Sequence, residues 1–306
     1  MPNSAHPGFS PRTALAVIFM TAWLAACSSH SDTKSPPSVS PVATTTGLSH
    51  PESVRYDSAR DVYYVSNING DPAAHDGNGS IVVVDADSYR ILRPLVQGGV
   101  NGARLSAPKG MALSGDTLWV ADIDTLRAFD VRDGHTLETV SLTRLGATFL
   151  NDVTVGGDGA VYITDTGRND SASTGSAIFR VHARLPRVAL ATPELSAPNG
   201  ITWDAQGQRF LLAPGGKEIQ TWVPGEPAPV PLMNGPGGYD GIEVLANRSI
   251  LVTSWADSTL HLIRAGVMSP LVRGLSGPAD IGVDTRRNIV AVPRLLLDRV
   301  EYFRIP

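Results

Sequence analysis

Pro198-Asn199-Gly200-Ile201-Thr202-Trp203-Asp204-Ala205-Gln206-Gly207-Gln208-Arg209-Phe210-Leu211-Leu212-Ala213 places two short apolar runs around an Asp/Gln/Gly turn. The runs are Asn199 to Trp203 and Arg209 to Ala213, and Glu218 to Val223 and the weaker Pro229 to Met233 follow. Runs of this length between Gly, Asp and Asn turns read as antiparallel strands. The same order of events starts at Pro51-Glu52-Ser53-Val54, Pro108-Lys109-Gly110-Met111, Leu150-Asn151-Asp152-Val153, Tyr239-Asp240-Gly241-Ile242 and Pro278-Ala279-Asp280-Ile281. The second residues of successive copies are 57, 42, 48, 41 and 39 positions apart. Four strands in about forty residues make one propeller blade, so six copies predict an all-β, six-bladed β-propeller.

The ends of the chain predict how the ring closes. The last copy stops at Ile305-Pro306, after its third strand, Arg299 to Ile305. An extra extended stretch, Val42 to Leu48, precedes the first copy. That N-terminal strand is expected to complete the last blade and leave no open edge. A β-sandwich or solenoid would not need the missing strand to reappear at the other end.

Inside this repeat the second position varies: Glu52, Lys109, Asn151, Asn199, Asp240 and Ala279. In a propeller the first strand of each blade lines the central channel, so these residues converge on one mouth. Two carboxylates brought together raise one pKa unless a cation lies between them. Carboxylate and amide oxygens without Cys or His suit a hard divalent ion: Ca²⁺ first, then Mg²⁺ or Mn²⁺. Zn²⁺ fits less well, since a structural zinc site wants Cys or His. The loops Ile68 to Ser80 and Thr166 to Ser176 are expected to form a rim at the same end. Asn67, Asp122 and Asp165 end second strands there, as turn caps or as contacts behind the site.

These motifs resemble the SMP-30/gluconolactonase/LRE family, and more distantly the calcium-dependent phosphotriesterase propellers. The carrying residues are Pro51-Glu52-Ser53, Leu150-Asn151-Asp152-Val153 before Gly157-Asp158-Gly159, Pro198-Asn199-Gly200-Ile201 and Asp240-Gly241-Ile242. The resemblance implies metal ligation by Glu52, Asn199 and Asp240, with Asn151 holding the metal, its water or the substrate. It implies hydrolysis of a lactone or related ester, with Asp240 first and Glu52 second as general base. Asp152 follows Asn151 as in the family and joins the expected substrate contacts.

Two positions depart from the family pattern. Phe149 stands where sugar-lactone hydrolases of the family often carry Arg, which favours a more apolar lactone or ester. Lys109 is one of three lysines in the chain, with Lys34 and Lys217. It could bind an anionic substrate group or stabilise an oxyanion. It could instead take the metal's place and leave a non-catalytic, NHL-like binding or scaffold propeller. A stem packed on the wall with its head in solvent is the third option.

The rest of the 306 residues bounds partners and location. Arg12 and the apolar run Ala14 to Ala26 end in Leu24-Ala25-Ala26-Cys27, which resembles the lipobox of bacterial lipoproteins. The run is too short to span a membrane and stay there. The expected organisation is a signal peptide over 1–26, a lipidated Cys27 with a Ser/Pro-rich tether over 27–41, and the propeller over 42–306. Ser28 after that Cys resembles an outer-membrane sorting signal, which implies the periplasmic face of the outer membrane. Cys27 is the only cysteine, so no intramolecular disulfide can form. The net charge is −4 with no basic block, which argues against nucleic acid as a partner. A monomer acting on a small molecule, touching the membrane only through its lipid, is expected. HExxH, GxSxG and P-loop sequences do not occur, so those mechanisms have no support.

Overall fold

In the computed structural model the described residues are 39–167 and 175–306. The expected signal peptide, Cys27, most of the tether and most of the loop between Thr166 and Ser176 lie outside them.

The unit from Ser38 to Pro306 contains six four-stranded antiparallel sheets. Five blades are consecutive in sequence. Their inner strands are Pro51–Asp57, Pro108–Ser114, Leu150–Val155, Pro198–Asp204 and Tyr239–Val244. The sixth blade comprises Gly282–Asp284, Ile289–Arg294, Arg299–Arg304 and, as its outer strand, Ala43–Thr45. Ala43 pairs with Tyr302 and Thr45 with Val300, so the N-terminal strand closes the ring as expected.

Hydrophobic alternation fills the spaces between blades. Along Thr117–Asp122, Leu118 and Val120 pack towards Tyr64, Ile81 and Val83 of the first blade. Their neighbours Trp119 and Ala121 pack towards Val153, Ile163 and Phe179 of the third. A period of two thus gives each sheet two apolar faces. Each apolar cluster is shared by adjacent blades, which makes closure of the ring an energetic requirement.

The variable second residue sits at a break in register. The inner-strand ladder shifts between Pro51 and Val54, Pro108 and Met111, Leu150 and Val153, Pro198 and Gly200, and Tyr239 and Ile242. Such a bulge leaves residues unpaired and re-aims a side chain. Hydroxyls of the second strands fill the break. The Asp152 N–H donates to Thr164 Oγ1 at 2.9 Å, and Thr164 Oγ1 donates to the Asn199 carbonyl at 2.6 Å. In the fifth blade the Gly241 N–H donates to Thr253 Oγ1 at 2.8 Å, which donates to the Ala279 carbonyl at 3.1 Å. One side chain therefore holds its own bulge and fixes the second position of the next blade.

The sixth inner strand is shorter than its motif predicts. Asp280 bridges to Ser53 of the first blade, and its N–H donates to the Glu52 carbonyl at 2.9 Å, so this segment is drawn across the blade boundary.

Glycine after the second residue serves close approach rather than a turn. A Cβ on Gly200 would lie 2.2 Å from the Asp240 carbonyl oxygen, and one on Gly241 would lie 2.5 Å from the Ile281 nitrogen. Gly200→Ala is expected to push the fourth and fifth inner strands apart and cost ~1–3 kcal/mol, as overpacking does. Urea unfolding checks this, and an unchanged midpoint would rule out a tight contact there.

Candidate metal and substrate site

A cavity of about 410 Å³ opens at the mouth where the second residues converge. Glu52, Lys109, Asn151, Asn199 and Asp240 all line it, with Phe149. Gly70 and Pro72 of the Ile68 to Ser80 loop contribute wall, as does Leu295 of the sixth blade.

Three oxygens here are buried without a hydrogen-bond partner: Glu52 Oε2, Asn199 Oδ1 and Asp240 Oδ1. A buried polar atom left unpaired costs roughly 1–3 kcal/mol, so three from three blades on one cavity need a ligand to satisfy them. The surrounding contacts hold these side chains. Trp255 Nε1 donates to Asp240 Oδ2 at 2.8 Å. Asn151 Nδ2 donates to Thr166 Oγ1 at 2.9 Å, which donates to the Pro198 carbonyl at 2.8 Å. Burial, and next the charge of Asp280, push the Asp240 carboxyl up to about 7. Burial also raises Glu52 well above the usual carboxylate range; Asp240 and Asp280 add to this, and Lys109 opposes it. Neither carboxylate has an ion-pair partner among the described residues. Both shifts reflect negative charge held in a dry site, which a divalent cation would relieve. Among the described residues no three His, Cys, Asp or Glu side chains form a metal cluster. The candidate set differs in kind: two carboxylates and two amides, all oxygen donors of the type hard cations take.

Lys109 does not occupy the point between the carboxylates. Its side chain is buried, Nζ donates to the Pro72 carbonyl at 3.1 Å, and Nζ sits 4.1 Å from the Phe149 ring centroid. Burial lowers its pKa to about 8, against the pull of Glu52. The solvent-exposed head considered from sequence is thereby corrected: the loop carbonyl and the aromatic face hold the ammonium inside.

Asp152 does not line the cavity. Its Oδ2 accepts from the Ile201 N–H at 2.8 Å, and its Oδ1 accepts from the Val153 N–H at 2.7 Å and ion-pairs with Arg55 at 3.3 Å. It belongs to a cluster deeper in the channel, where Arg55 also meets Asp280 at 2.9 Å and Glu243 at 3.1 Å.

The Asx residues ending second strands are caps. Asp122 Oδ1 accepts from the N–H groups of Ser106 and Ala107, and Asp165 accepts from those of Thr148, Phe149 and Gly167. Asn67 Oδ1 likewise takes the Ser49 N–H. Each fixes the chain entering its own inner strand, and so indirectly fixes the second residue.

Sequence reasoning missed Trp255, Arg55, His50 and Tyr239. Trp255 directly follows the fifth blade's second strand, Ile250–Ser254, where a large aromatic at a channel mouth was a usable signal. His50 and Tyr239 line the cavity, and His50 Nδ1 is buried without a partner. Arg55 could be placed in the channel only once the bulge at Glu52 was known.

Fold and site together define a six-bladed propeller with an oxygen-lined pocket at one channel mouth. The model of the SMP-30/gluconolactonase/LRE-like region matches residues 69–265, well over half of the chain, and the protein belongs to that family. Comparison with curated proteins finds no match. Among solved structures, the PQQ-bound aldose sugar dehydrogenase of Streptomyces coelicolor aligns with a TM-score of 0.64 at 17% identity, covering 88% of this chain and 99% of that one. A streptogramin B lyase aligns at 0.59 and 15% identity, over 85% and 94%. A nidogen/laminin complex aligns at 0.59 and 18% identity, over 73% and 80%. At these identities the likeness concerns the fold alone.

Proposed function

We propose that the protein is a metal-dependent hydrolase that opens a lactone or cleaves a related ester at the channel mouth. The observation that carries this reading is the set of unpartnered buried oxygens Glu52 Oε2, Asn199 Oδ1 and Asp240 Oδ1 on one cavity. Glu52, Asn199 and Asp240 would hold the ion, with Asn151 beside them, and Ca²⁺ is the best match to oxygen-only donors. When bound, the ion supplies a Lewis acid for the substrate carbonyl and lowers the pKa of a water. Asp240, anchored by Trp255 through Oδ2, is the first candidate to accept a proton from water, and Glu52 is the second. Asn151, fixed through Thr166, orients the substrate or water. Phe149, Ile68 and Leu295 keep bulk water from the reacting bond.

The test is metal analysis of the purified protein, then a panel of lactones and aryl esters with and without chelator. One divalent ion per chain, and turnover lost to chelator and restored by Ca²⁺, is the expected result. Chelator-resistant turnover would reject the mechanism. No bound metal and no turnover would favour a non-catalytic binding propeller.

A further inference from the structure

We propose that the substrate of this site carries one negative charge, paired with Lys109, on an otherwise apolar body. The inference rests on the hydrolase reading above for its metal and adds the class of molecule the pocket selects.

Three observations lead to it. First, an ammonium group has three N–H donors. Lys109 gives one to the Pro72 carbonyl and turns a face to the Phe149 ring. Among the described residues no carboxylate ion-pairs with it; Glu52, the acid that acts on it most strongly, is the one assigned to the metal above, and the next two are committed elsewhere. Asp122 is paired with Arg127 at 2.5 Å, and Asp165 accepts three backbone N–H groups. Donor capacity therefore remains on a buried cation that lines the cavity.

Second, the charges of the side chains that line the cavity do not cancel once it is loaded. The acids lining it are Glu52 and Asp240, whose two negative charges match one divalent ion. Lys109 then remains as a surplus positive charge in a poorly hydrated wall. A buried cation without a counter-charge is costly, and a bound anion removes that cost. The charge-assisted hydrogen bond so formed is also stronger than a neutral one.

Third, apart from His50 and three glycines, the remaining wall is apolar and aromatic: Ile68, Pro72, Phe149, Tyr239, Trp255 and Leu295. This surface suits a hydrocarbon or aryl body better than a polyhydroxylated ring, which would leave hydroxyls unpaired. The chemistry that fits is a lactone or ester with a single carboxylate or similar anionic group at a distance from the reacting carbonyl.

The experiment compares a monoanion with its neutral isostere on the Ca²⁺-loaded, full-length protein. Phenylmethanesulfonate and phenylmethanesulfonamide serve as probes, because a sulfonate is a poor calcium ligand. Binding is read by calorimetry and by intrinsic tryptophan emission, with no turnover required. Wild type should bind the sulfonate at least tenfold tighter. Lys109→Met should reduce that ratio to near one, whereas Lys109→Arg should keep most of it. Equal binding of the two probes by wild type, or an undiminished preference in Lys109→Met, would overturn the proposal. The wild-type comparison stands even if Lys109→Met does not fold. Sulfonate preference without any lactone turnover would sink the hydrolase reading and leave this one standing. Turnover of neutral lactones without sulfonate preference would do the reverse.

Discussion

Replacing Arg55 by leucine is expected to cost the protein roughly 3–5 kcal/mol of folding stability. Arg55 reaches across the channel from the first blade to Asp152, Glu243 and Asp280 of the third, fifth and sixth. It also donates to the Met111 and Ile281 carbonyls. Leucine would leave three carboxylates together in the channel with no cation among them. Protonation would absorb part of the cost, so the loss should grow with pH. The sign can be followed at Glu243, whose carboxyl burial raises from 4.5 to about 7 despite Arg55. Between those values the folded state holds a proton that the unfolded state has released. This contribution is therefore complete below pH 4.5 and lost as pH rises through 7. In the variant the falling stretch should extend to higher pH. Urea unfolding from pH 5 to 8 measures both effects, and a loss below 1 kcal/mol at pH 8 would remove Arg55 as the clasp of the ring.

The second large effect is expected at Asp240. Asp240→Asn should lower lactone turnover by ~10²–10³-fold, in the range seen when a principal electrostatic stabiliser is lost. Asparagine nearly conserves shape and can still accept from Trp255, so the fold and the cavity wall should survive. It removes the charge that helps attract a cation and the carboxylate that accepts the proton. Ca²⁺ affinity measured by calorimetry should fall together with the rate, while the thermal midpoint without metal stays level or rises, since a buried negative charge has gone. Turnover within tenfold of wild type would show that residue 240 is neither ligand nor base.

The sequence carried the fold further than it carried the site. Blade count, strand order and the closing strand were all readable, because period-two alternation and Gly/Asp turns are local signals. The short sixth inner strand was not, because Asp280 is claimed by Glu52 and Ser53 of another blade, a contact between residues far apart in sequence. The polar second positions were visible as irregularities in a repeat, and the fold brings five of them to one cavity. Asp152 shows the limit of reading by adjacency. It follows Asn151 directly, yet it meets Arg55 instead of the cavity. Asn199-Gly200 and Asp240-Gly241 look like turn pairs in sequence, but these glycines let inner strands touch, a requirement set by the neighbouring blade.

The bond from the Asp280 N–H to the Glu52 carbonyl has a consequence in time. Glu52 emerges early in synthesis, and the residue that fixes its backbone emerges more than two hundred positions later. A nascent chain of five blades thus has the proposed oxygen donors but lacks the bond that fixes the first of them. The proposed cation affinity should then arrive in one step with the last blade, so a chain stalled or clipped short of its end should lack it.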